Sequence, residues 1–148
     1  MGYTITIGQL KVEKEPDDGL DCSCIRFSAE LAHHENAPAF GEPTDRENQR
    51  WPSYGVWSDF MRATGLYDVF FYESGHLIGG HPGIRLVTRE LVDVVSAALI
   101  AYREAKPDAR PDLNDGQLSS SWLCRLIWLD YWLRWSFESC ETPVIVNS

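Results

Sequence analysis

The pattern of apolar positions is densest in residues 119–139, Ser-Ser-Ser-Trp-Leu-Cys-Arg-Leu-Ile-Trp-Leu-Asp-Tyr-Trp-Leu-Arg-Trp-Ser-Phe-Glu-Ser. Four of the chain's six tryptophans stand here: Trp122, Trp128, Trp132 and Trp135. No Pro or Gly interrupts the stretch, and its length predicts one long helix. At 100° per residue its apolar side chains cover most of the circumference, which marks a helix buried on several sides. The rest of the chain must supply that cover.

Residues 3–13 alternate as a strand with Tyr3, Ile5 and Ile7 on one face. After Gly8 the apolar positions move to Leu10 and Val12, and a period of two cannot change face without an extra residue, so a bulge is predicted near Gly8. Pro16-Asp-Asp-Gly19 is turn chemistry. Residues 22–32 alternate again, with Ile25, Phe27, Ala29 and Leu31 facing in and Cys24, Arg26, Ser28 and Glu30 facing out. The two runs predict an antiparallel hairpin.

Residues 33–52 are polar, broken by Pro38, Gly41, Pro43 and Pro52, and without period. So long an irregular connection is often a functional loop, although residues 44–51 also suit a short helical turn. Ser53 caps a helix over residues 54–64 that stops at Gly65 and turns Trp57, Phe60, Met61 and Thr64 inward. Residues 66–72 are apolar and read equally as short helix or strand. Residues 75–83 form a glycine-rich loop ending in a tight turn at His81-Pro-Gly83. Thr88 caps a second amphipathic helix, reaching about Lys106, with an inward stripe of Leu91, Val94, Val95, Ala98, Leu99 and Tyr102 and an Arg89–Asp93 pair on its wet side. Residues 107–116 are a linker with two prolines. The apolar tail, residues 140–148, is expected to fold back as a strand beside the hairpin. Together these elements predict a single α+β domain over residues 1–148, a hairpin packed on three helices with the Trp-rich helix in the middle.

Composition narrows the function classes. A chain of 148 residues with 44% hydrophobic and 12% aromatic content folds around a sizeable core. The formal charge of −9 disfavours a long nucleic-acid partner. It leaves room for a small phosphorylated ligand held by a few arginines. Arg125, Asp130 and Arg134 speak against the Trp-rich helix as a membrane span, and the first residues lack a basic region with a following apolar run. Cys22, Cys24, Cys124 and Cys140 are too scattered for a secreted disulfide framework, so reduced thiols and a cytoplasmic setting are expected.

Two constellations could carry chemistry. Asp130, Arg134 and Glu138 follow at i, i+4, i+8 and read first as a solvated ladder. Arg125 projects roughly opposite them, with Ser121, Trp122, Trp128, Leu129 and Trp132 as helical neighbours. It either stacks structurally or forms an anion-plus-ring site. The second constellation is Arg50, Trp51, Ser53, Tyr54 and Trp57 at a helix N-terminus, where backbone N–H groups favour an anion unless the cap uses them. The metal reading is weak: Cys22 and Cys24 with His33 and His34, or His76 with His81, lack a zinc spacing with a paired second half. Hydrolase, P-loop, zinc-protease, dinucleotide and zinc-deaminase signatures are absent. No cofactor is expected.

Pro52-Ser-Tyr54, Trp57-Ser-Asp-Phe60, Thr64-Gly-Leu-Tyr67, His81-Pro-Gly83, Trp132-Leu-Arg-Trp135 and Cys140-Glu-Thr-Pro143, together with the final Asn147-Ser148, resemble small uncharacterised proteins encoded by bacteriophages and prophages. The resemblance implies a setting rather than an activity: a small acidic accessory protein in a host cell, where inhibitors of host defence are common and some sequester nucleotide signals. On that basis the leading expectation is a non-enzymatic protein that binds a small anionic, nucleotide-like ligand through Arg50, Trp51, Ser53, Tyr54, Trp57, Arg125 and Trp132. The alternative is an inhibitor that blocks a host defence protein directly through its acidic surface and the 33–52 loop. An enzyme without short motifs stands third. The excess of tryptophan on one helix equally suits a homo-oligomer interface.

Overall fold

The computed structural model describes residues 2–15, 24–40, 46–71 and 83–148. Its architecture is α+β. Strands β1 (Ile5–Glu15), β2 (Cys24–Ala29), β3 (Gln49–Arg50), β4 (Gly83–Leu86) and β5 (Pro143–Asn147) form one antiparallel sheet. The strand order is β2-β1-β5-β4, with β3 beside the start of β1. Helices α1 (Tyr54–Ala63), α2 (Tyr67–Phe71), α3 (Arg89–Ala105) and α4 (Leu118–Ser139) supply the second layer.

Helix α4 is the hub, as its pattern requires. Trp132, Leu126, Leu129 and Leu133 are wholly buried, and Trp122 and Trp128 nearly so. Their partners come from every other part of the chain: Phe60 of α1 meets Trp122 edge-on, and Ile5, Ile7 and Ile145 of the sheet join the same core. Three of the four tryptophans of α4 are therefore spent inside the chain, while Trp135 is partly buried. The apolar tail folds back as β5 and pairs with β1 from Ile5↔Asn147 to Gln9↔Pro143. Ser53 caps α1 by accepting the Val56 N–H at 3.2 Å, and Thr88 caps α3 by accepting that of Leu91 at 3.2 Å. Gly65 leaves α1 at φ +73°, the left-handed conformation expected of a helix stop.

The predicted bulge near Gly8 is absent. β1 holds one register with β5 as far as Gln9 and passes to β2 at Leu10↔Ala29, with neither ladder interrupted. The apolar positions change parity because they serve different faces. Ile5 and Ile7 belong to the helix-side core, whereas Leu10 clusters with Ala29, Val144 and Val146 on the opposite face. The hairpin's alternation is correct in period, but of its second apolar set Ala29 alone is buried. Ile25 and Phe27 are half exposed and Leu31 largely so.

Other differences are local. Strand β4 has no readable sequence signal, because four residues between a loop and a helix cap carry too little period. Residues 67–71 resolve as helix, while the turn at residues 16–19 and most of the 75–83 loop lie outside the described residues. The linker contains a 3₁₀ turn, Leu113–Asp115. Arg89 lies 5.0 Å over the Phe137 ring rather than pairing with Asp93. The supposed solvated ladder begins as a clamp between helices. Asp130 accepts from Arg134 at 3.0 Å and from the Ser96 hydroxyl of α3 at 2.5 Å, with its side chain only 12% exposed.

The long polar connection is anchored by one residue. Asn48, wholly buried, accepts the Ala32 N–H and donates to the carbonyls of Ile7 and Glu30, each at 2.8 Å. With the His33↔Glu47 bridge, this closes the two ends of the segment against each other in the manner of an Ω-loop. A Cβ on Gly8 would come within 3.0 Å of both the Asn48 amide nitrogen and the Glu30 oxygen, so glycine is what lets the anchor approach the strand.

Candidate functional site

Beneath that loop lies a small cavity of about 40 Å³ lined by Phe40, Arg50, Trp57, Leu113, Cys124, Arg125 and Trp128. Five separate parts of the chain meet there. The loop contributes Phe40, β3 contributes Arg50, α1 contributes Trp57, the 3₁₀ turn contributes Leu113, and α4 contributes the rest. The two predicted constellations thus converge on one point through Arg50, Trp57 and Arg125.

The cavity is both cationic and aromatic. The Arg50 guanidinium sits 5.7 Å from the Trp128 ring centroid and that of Arg125 sits 5.9 Å from Trp122, distances that suit cation–π attraction. The Trp128 indole is held by donating to the Glu47 carbonyl at 2.9 Å, which ties the cavity wall to the base of the loop. Trp57 is only 2% exposed, stacks on Phe60 at 5.3 Å, and its Nε1 finds no hydrogen-bond acceptor among the described residues. A buried indole N–H without an acceptor forfeits roughly 1–3 kcal/mol, and the Trp132 Nε1 in the core is in the same state. At about 10–15 Å³ per water, the cavity holds a few waters or one compact anionic group.

Four predicted residues lie elsewhere. Trp51 is 55% exposed and lines a separate shallow surface with Gly2, Tyr3, Thr4 and Ser53. Ser53 spends its hydroxyl on the α1 cap, so this helix start presents an occupied donor rather than an open anion site. Tyr54 packs edge-on against Tyr3 at 4.6 Å. Trp132 is wholly buried, its ring 4.6 Å from that of His34. The helical neighbourhood of Arg125 pointed to Trp128, three residues on, but Phe40 and Leu113 left no readable signal.

The metal candidates do not assemble among the described residues, where no group of three His, Cys, Asp or Glu side chains stands together. His33 is exposed, whereas His34 is set among Tyr131, Trp132 and Trp135, with its Nδ1 3.0 Å from the Tyr131 hydroxyl. Cys124 and Cys140 are thiols, not disulfide halves, and burial pushes the Cys140 thiol above its ordinary pKa, with Glu30 adding to the shift. Among the described residues no helix is long and apolar enough to cross a membrane. Comparison with protein-family models, with curated proteins and with solved structures finds no match for this chain.

Proposed function

We propose that the protein binds a small anionic ligand at the Arg50–Arg125 cavity, without turning it over. The carrying observation is the unaccepted Trp57 N–H in a cavity lined by two arginines from different elements. Guanidinium groups suit phosphate and carboxylate oxygens because their fork of donors matches them. The size of the cavity sets the mode of binding. One anionic group enters, and a nucleoside attached to it would lie outside, beside the half-buried Phe40 and Leu113. Taken with the resemblance to phage-encoded accessory proteins, the ligand class is a nucleotide-derived signal and the role is its sequestration in a host cell.

The test is calorimetric titration with inorganic phosphate, nucleoside monophosphates and cyclic nucleotides. Arg125→Ala is expected to weaken binding at least tenfold, as loss of a charge-assisted hydrogen bond of about 1.5–3 kcal/mol requires. The melting temperature should stay close to wild type. Unchanged affinity removes Arg125 from the site, and altered ligand recovered after heat release means an enzyme. If no ligand in the panel is depleted, the direct-blocking reading takes over, with the exposed Leu31 and Trp51 flanking the loop as its first contacts.

A further inference from the structure

Four consecutive residues, Glu47 to Arg50, lead from the stem of the long connection into the candidate cavity. Each is tied to a neighbour. The Glu47 carbonyl accepts the Trp128 indole N–H at 2.9 Å. The Asn48 side chain binds the backbone of Ile7, Glu30 and Ala32. Gln49 donates to the Thr6 hydroxyl at 2.9 Å and stands opposite Thr6 in the β3–β1 ladder, where Arg50 stands opposite Ile5. The Arg50 guanidinium then lies over the face of that same Trp128, 5.7 Å from its ring centroid. One indole grips the segment twice, by its N–H edge at Glu47 and by its face at Arg50.

Helix α4 places that indole. Trp128 follows Arg125 by three residues, so the two side chains are neighbours on one helix surface, and both line the cavity. Trp128 is 3% exposed and belongs to the helix-side core, which fixes its ring. Two guanidiniums on one small cavity repel each other, and the π face beneath Arg50 offsets part of that repulsion. From this arrangement we infer that Trp128 is the positioning residue of the cavity. Its N–H docks the 47–50 segment onto α4, and its face sets the Arg50 guanidinium on the cavity that Arg125 also lines. An anionic group then meets two forks of donors already in place, so less of its binding energy is spent on ordering them. The inference rests on the Arg50–Arg125 cavity being the anion site, and it names the residue that assembles it.

Two variants separate the edge from the face: Trp128→Phe keeps a ring and removes the N–H, and Trp128→Leu removes both. The amides of Ala32, His34 and Asn48 close the stem beside Glu47. In ligand-free Trp128→Phe their hydrogen exchange should be faster than in wild type. Calorimetry with inorganic phosphate should show roughly two- to tenfold weaker binding, the worth of one neutral hydrogen bond. In an Arg50→Ala background the same change should cost no further phosphate affinity, whereas general loosening of the core would still lower it. The Arg50 Nε–H resonance, shifted by the ring current of the indole beneath it, should return towards its ordinary position in Trp128→Leu. Trp51→Phe, at the neighbouring exposed indole, should change none of these readouts. Additive losses in the double variant overturn the inference, as does wild-type exchange in Trp128→Phe or an unmoved Arg50 resonance in Trp128→Leu. A wild-type chain that binds no phosphate overturns the functional reading instead. The exchange and resonance measurements need no ligand, so they still decide whether Trp128 places Arg50.

Discussion

The two faces of the sheet carry side chains of the same kind and bury them to different extents. On one, Ile5, Ile7 and Ile145 are sealed under α4 at 0% exposure. On the other, Ala29, Val144 and Val146 are buried beside Leu10, but Val12, Phe27 and Leu86 stand half in water. A single strand, β1, serves both, giving its first half to the helix side and its second half to the open side. Alternation therefore records that a face is apolar, and says nothing of whether this chain or another molecule covers it.

The largest expected effect sharpens that difference. Trp132→Ala removes a wholly buried indole from the helix-side core and should cost about 3–5 kcal/mol. Phe27→Ala on the open face should cost under about 1 kcal/mol in the isolated chain, since half of the ring is already solvated. Urea unfolding reads both. Equal deficits for the two would erase the distinction between the faces.

A second, smaller effect concerns the anchor between the strand and the loop. Asn48→Ala leaves the Ala32 N–H and the Ile7 and Glu30 carbonyls without their side-chain partner, at a cost of about 2–4 kcal/mol. Gly8→Ala should cost about 1–3 kcal/mol, because the added methyl meets the same amide at 3.0 Å. Both should also loosen the cavity, since Glu47 and Arg50 flank the anchor. Thermal melts with and without ligand separate the two consequences. Full stability in Asn48→Ala would mean that the loop closes without it.

Much of this was legible in the chain. The two helix caps, the Gly65 stop, the buried Trp-rich helix and the returning tail each rest on local chemistry that the sequence states outright. Two kinds of feature were not. Strand β4 needs β5 beside it to exist as a strand, and a partner so distant in the chain leaves no mark on four residues. The candidate cavity is half visible: Arg50, Trp57 and Arg125 stand out in two separate stretches, yet only folding brings them together. Ser53, Tyr54 and Trp132 looked alike in the sequence but are consumed by a cap, a ring contact and the core. Aromatic and arginine residues serve structure and binding with the same chemistry, so their neighbours decide which.

The smallest effect concerns how α4, the cover of the inner face, begins. Gln117, at its N-cap, makes no side-chain cap, and Asp115 does that work from two residues upstream. Its carboxylate accepts the Gln117 N–H at 2.9 Å and the Ser120 hydroxyl, while Ser120 in turn accepts the Arg110 N–H at 2.9 Å. The Ser120 bond, then the Gln117 N–H, hold the Asp115 pKa below its ordinary 3.8, with burial opposing and Arg110 assisting. A depressed carboxyl pKa means that the folded state binds this proton less tightly than the unfolded chain does. The contribution to stability is therefore complete above the ordinary value and is lost as pH falls through the lowered one. Asp115→Asn should accordingly lower the melting temperature slightly at neutral pH and converge with wild type in strong acid. A wild-type and variant pair that stay parallel down to pH 2 would show that the carboxylate charge does not hold the start of α4, and that the cover of the inner face rests on packing alone.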